Sequence, residues 1–156
     1  MIKKLDNSSI ILFGEFQNNS IAHWLQLELI KDRFLRNNLI LGAEMFEADQ
    51  QAYLDDYLNE KISDKELNEL TKLWPNYQTD YRPLVDFAKE NKLDFIATNI
   101  PRRYASEVYK KGGFQALDSL SESEKKWIAP LPVKFDLELS QYKNMLEMMG
   151  DHGSID

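Results

Sequence analysis

The chain has 156 residues, enough for one domain with a real core, and with 43% hydrophobic and 12% aromatic residues it is no disordered segment. A net charge of -7 argues against a general nucleic-acid binder and against simple docking on anionic lipid, since both need a basic face. No cysteine is present, which removes disulfides, zinc–thiolate sites and a cysteine nucleophile.

The start, "MIKKLDNSS", is basic but lacks the apolar centre of a signal peptide. No apolar run approaches the roughly 20 residues of a membrane helix. "IILF" (residues 10–13) reads as a short buried strand. It runs into Gly14, Glu15, Phe16 and Gln17, a carboxylate and a carboxamide two residues apart where a plain turn needs neither. "NNSIAHWLQLELIKDRFLRNN" follows as a helix that Asn19 or Ser20 can cap. His23 lies inside it, and its default role is on the helix surface or in packing. "LILGA" (residues 39–43) is the second strand, so the first three elements form a βαβ unit with parallel strands.

The link to the third strand, "LDFIA" (residues 93–97), is about fifty residues long, where one crossover helix would suffice. "DQQAYLDDYLNEK", "SDKELNELTKLW" with its Ser63 and Glu66 capping pair, and "YRPLVDFAKENK" with Pro83 in its first turn read as three helices. Residues 48–91 are therefore expected to form a helical insert. After the third strand come "PRRYASEVYKKGG", stopped by Gly112 or Gly113, "SESEKKWIA", capped by Ser121 and Glu124, and "LSQYKNMLEMMG".

The fold class expected is α/β: a three-layer α/β/α arrangement over a short parallel sheet, with three strands visible and a further one missing. In open parallel sheets, ligands bind outside the carboxyl ends of the strands. The residues delivered to that rim are Glu15 and Gln17, then Glu44 and Glu47, then Asn99 and Arg102. Two carboxylates in one crevice raise a pKa or share a divalent cation. The plain structural alternative is that they pair with Arg102 and Arg103. No Ser-His-Asp set, phosphate loop or dinucleotide fingerprint is present. Near the end, "NMLEMM" places Met145, Met148 and Met149 on one helical face, with Tyr142 one turn earlier. That face suits core packing or an adaptable apolar wall for a flat ligand.

The blocks "LFGEFQNNSIAHWLQLEL", "LGAEMFEADQQAYLDDYL", "LWPNYQTDYRPLVDFAKENKLDFIATNIPRRYA" and "LPVKFDLELSQYKNMLEMMGDHG" together resemble the ChaN-type haem-binding uptake proteins of the Tiki superfamily. The resemblance runs from about residue 10 to residue 153. It implies iron-regulated bacterial lipoproteins of the cell envelope, an α/β/α sandwich with a helical insert, and haem bound across a homodimer. It further implies a tyrosine on iron, carried here to Tyr142 beside Met145, and a histidine from the partner subunit at the propionates, carried to His152. The family block reads Gly-Glu-x-His where this chain has Gly14, Glu15, Phe16 and Gln17. Gln17 cannot act as a general base near neutral pH, which turns the reading from hydrolysis toward binding. Members of the family are longer, so a truncated chain is expected, with membrane contact only through a lipid anchor that this sequence lacks. A metal-dependent hydrolase using Glu15, Glu44 and Glu47, and an inert fragment with an empty crevice, stand as alternatives.

Overall fold

Six α-helices and one two-stranded parallel sheet make up the computed structural model, which describes residues 5–36, 38–71 and 73–149. The class is α/β. The chain divides into two compact units, Met1–Ala105 and Ser106–Asp156. No helix among the described residues is long and apolar enough to cross a membrane.

In the first unit, α1 (Ser20–Phe34) starts where Asn19 Oδ1 accepts the backbone N–H groups of Ile21 (3.1 Å) and Ala22 (3.2 Å). The sheet pairs β1 (Leu41–Glu47) with β2 (Phe95–Asn99) in parallel, with Leu41 opposite Phe95 and Ala43 opposite Ala97. Between them lie a 3-10 turn at Ala48–Gln50, α2 (Gln51–Leu58), α3 (Asp64–Thr71), a π-helical turn at Tyr77–Tyr81 and α4 (Arg82–Glu90). The expected capping box opens α3: Ser63 N–H donates to Glu66 Oε2 at 2.7 Å and Glu66 N–H to Ser63 Oγ at 3.3 Å.

Two details differ from the sequence reading. Residues 10–13 form no strand, and Ile10 and Leu12 are 79% and 91% exposed. A run of four apolar residues sets β propensity but supplies no partner, and a strand exists only as part of a ladder. The two real strands also run further toward their carboxyl ends than the apolar runs that mark them. β1 contains Glu44 and Glu47 and β2 contains Asn99, so these side chains lie in the strands rather than beyond them. The sheet tolerates them because one face is open: Leu41, Phe95 and Ala97 point to the core, while Gly42, Glu44, Ile96 and Thr98 point outward.

The core sits under the closed face. Phe46, Leu54, Leu67 and Val85 are fully buried, and Phe46 meets Tyr77 and Phe95 edge to face at centroid distances of 6.4 and 6.0 Å. Burying each such side chain contributes about 1.5–3 kcal/mol. One side chain closes the sheet on the β2 side. Gln51 Nε2 donates to the Phe95 carbonyl at 2.9 Å, and the Ala97 N–H donates to Gln51 Oε1 at 2.7 Å. The amide thus serves β2 as a neighbouring strand would, and satisfies an edge that would otherwise invite pairing.

In the second unit, α5 (Arg102–Lys111), which begins in the first, ends at Gly112 with φ +72°, a left-handed position that glycine reaches without strain. Two 3-10 turns, Phe114–Leu117 and Glu124–Trp127, and α6 (Ser140–Met149) follow. The expected Ser121 and Glu124 pair caps the second of these turns, with Ser121 N–H donating to Glu124 Oε2 at 2.9 Å.

Replacing Gln51 by Leu strands the Phe95 carbonyl and the Ala97 N–H together. A loss of about 2 kcal/mol is expected in urea unfolding; an unchanged midpoint would show that the β2 edge does not need the amide.

Candidate functional site

Glu15 sits at the centre of a polar cluster in the first unit. Its Oε1 accepts the Tyr81 hydroxyl at 2.8 Å and its Oε2 accepts Gln26 Nε2 at 2.6 Å. His23 is 4% exposed, and its Nδ1 lies 3.0 Å from Glu15 Oε2, though out of line for a hydrogen bond. On the other side of the ring, Nε2 is 3.2 Å from the Gln17 carbonyl oxygen and 3.9 Å from Asp80 Oδ2. Tyr81 meets the His23 ring edge to face at 4.6 Å, and Trp74 packs against Tyr81 at 5.5 Å.

The local backbone explains the convergence. Asn19 fixes the start of α1, which sets His23 and Gln26 one turn apart, facing the incoming chain. The π turn widens the spiral and brings both Tyr77 and Tyr81 inward, with the Arg82 N–H reaching back to the Tyr77 carbonyl. Asn76 ties the pieces together: its Nδ2 donates to the Gln17 carbonyl at 2.6 Å and to Asp80 Oδ2 at 2.9 Å. Ser20 Oγ donates to Asp80 Oδ1 at 3.4 Å.

The rim residues are brought together in part. Glu15 anchors the cluster, and Gln17 enters through its backbone carbonyl while its side chain stays exposed. Glu44 acts on it through its charge, which adds to those of Glu15 and Asp80 around Tyr81. Glu47 stands opposite Asn99 across the strand ends, and its N–H donates to Gln50 Oε1 at 3.2 Å. Arg102 is exposed at the first turn of α5. Glu15 pairs with Tyr81, Gln26 and His23 rather than with an arginine, and Arg103 instead bonds Asp49 and the Tyr104 hydroxyl. Among the described residues, no group of three or more His, Asp or Glu side chains gathers to hold a metal ion, so Glu15, Glu44 and Glu47 do not form a shared cation site.

His23 takes the packing role that its place in the helix gave it, with a carboxylate on each side. Asn76, Asp80 and Tyr81 escaped the sequence reading as site residues. Their only signal was the run "WPNYQTDYRPL", whose π turn no periodicity reveals.

The second unit carries the other candidate residues. Tyr142 and Met145 lie three residues apart on α6, 38% and 50% exposed, and every described side chain of that helix is exposed. His152 lies outside the described residues.

Together these features define an α/β protein with a polar node between α1 and the π turn and, on α6, a helix that carries an exposed tyrosine. The profile of the family described as "Haem-binding uptake, Tiki superfamily, ChaN" matches residues 1–155, and the chain belongs to that family. A curated relative, Protein RETICULATA-RELATED 5, chloroplastic, from Arabidopsis thaliana, is 29% identical over 136 residues. The match covers 82% of this chain, which spans 18% of that relative's length. No solved structure matches.

Three phenols are pushed above the ordinary tyrosine value. Burial is the first cause for each. For Tyr57 the bond to Asp86 adds to it, for Tyr77 the neighbouring Tyr57 and Asp64 charges, and for Tyr81 the bond to Glu15. They stay neutral in the folded chain beyond about pH 10, where an unfolded tyrosine ionises. This linkage favours the folded state fully below about pH 10 and loses that effect as pH rises beyond it. Ultraviolet titration is therefore expected to count fewer than the chain's seven tyrosines as phenolate at about pH 11, the rest appearing with unfolding. All seven titrating together in the folded protein would contradict the buried network.

Proposed function

We propose that this protein captures haem as cargo at the bacterial cell envelope, in iron uptake, with Tyr142 as the iron ligand in a cleft that a second copy completes. The observation that carries this reading is the place of Tyr142. It is an exposed phenol on a helix whose described side chains are all exposed, with the thioether of Met145 beside it. A phenolate oxygen is one of the few oxygen ligands that hold ferric haem iron. Methionine offers the soft, adaptable apolar contact that a flat macrocycle needs. The donor set thus fits the ligand named by the family description. His152 of the second copy is assigned to a propionate in this reading. Gln17 carries no proton-transfer role, and the polar cluster around Glu15 serves structure.

Titration of ferric haem into the purified chain tests this. A saturating Soret shift near one haem per chain is expected, lost or moved in Tyr142→Phe and unchanged in Tyr109→Phe, a control on α5 whose ring is 89% exposed. A flat response, or equal spectra from both variants, would overturn the assignment. Sedimentation with and without haem reads the second copy.

A further inference from the structure

We infer that Lys143 binds one of the haem propionates, and that Glu138 holds the lysine in position until the propionate replaces it; this deepens the haem reading and rests on it. Lys143 follows Tyr142 directly, and its Nζ lies 2.5 Å from Glu138 Oε2. The two side chains are 52% and 79% exposed. An ion pair this open contributes little stability, so one carboxylate replaces another on the lysine at low cost.

The pair is nonetheless built. The Glu138 N–H donates to Asp136 Oδ1 at 2.9 Å, and the Leu139 N–H donates to the Asp136 carbonyl at 3.3 Å. This turn leads straight into α6, where the Tyr142 N–H donates to the Leu139 carbonyl at 3.0 Å. These bonds hold the Glu138 backbone just before the helix, and Lys143 reaches back across the first turn to its side chain, the end toward which helical side chains lean. Tyr142 belongs to the same turn.

Charge selects the ligand group. In the stretch "KFDLELSQYKNMLEMM", Lys143 is the one cation on α6, with Lys134 at the start of the stretch and Asp136, Glu138 and Glu147 around it. A macrocycle carrying two carboxylates and bound through Tyr142 would otherwise meet like charge along this stretch. Lys143 supplies the charge-assisted contact for one propionate.

The test compares ferric haem with its dimethyl ester, which keeps the macrocycle and iron but removes both charges. Both are titrated into the wild type, Lys143→Met, Lys143→Arg and Glu138→Gln. Lys143→Met is expected to weaken haem binding roughly tenfold while leaving the ester's dissociation constant unchanged. Lys143→Arg should keep haem binding, and Glu138→Gln should tighten it by freeing the lysine. Equal weakening of both ligands, or no change in Lys143→Met against a wild type that binds, would overturn the assignment of Lys143 alone. No Soret response from the wild type would overturn the haem reading and this assignment with it.

Discussion

One carboxylate, Glu15, ties the segment before α1 and α1 itself to a turn some 66 residues further along the chain. Its two oxygens accept from Gln26 on α1 and from Tyr81 in the π turn, and its own residue lies in the segment that precedes α1. A partly buried carboxylate needs such donors, because desolvation without them costs several kcal/mol. Once Glu15 is satisfied, His23 has a carboxylate on each side, and Asn76 can close the ring through the Gln17 carbonyl. The geometry of this cluster follows from that one requirement.

The sheet shows the same economy. A sheet of two short parallel strands has two open edges and few residues to cover them. Gln51 covers the β2 edge by imitating a strand with a side-chain amide. The outward face carries Ile96 and Thr98 beside Glu44, which explains how a carboxylate sits inside a strand at no burial cost.

What the sequence revealed and what it hid divide along physical lines. Capping pairs such as Ser63 with Glu66 are local, and they were legible because both partners fall within one turn. The α/β class followed from apolar runs alternating with helical patterns. The strand ends were not legible, since Glu44, Glu47 and Asn99 look like loop residues until one face of the sheet is known to be open. Residues 10–13 have the propensity of a strand, but pairing is a non-local property that no window contains. The cluster around Glu15 was half visible. Its carboxylate drew attention in the sequence, though as the end of a strand that does not form, and Tyr81 and Asp80 arrive from some 65 residues away through a π turn with no sequence period. Gln17 drew attention for its side chain, whereas its backbone carbonyl does the binding.

These observations separate two tasks. The polar node of the first unit is spent on internal contacts, and no metal-binding group gathers among the described residues. The second unit offers an exposed phenol and thioether on α6, the kind of surface that acquires its purpose from a ligand. Membership of the haem-binding uptake family names that ligand class, and Tyr142 is the iron ligand we propose for it. The most direct test is the resonance Raman spectrum of the ferric haem complex. An iron–phenolate vibration that disappears in Tyr142→Phe is the expected result. A bound haem whose spectrum lacks that vibration, or keeps it in Tyr142→Phe, would contradict the account.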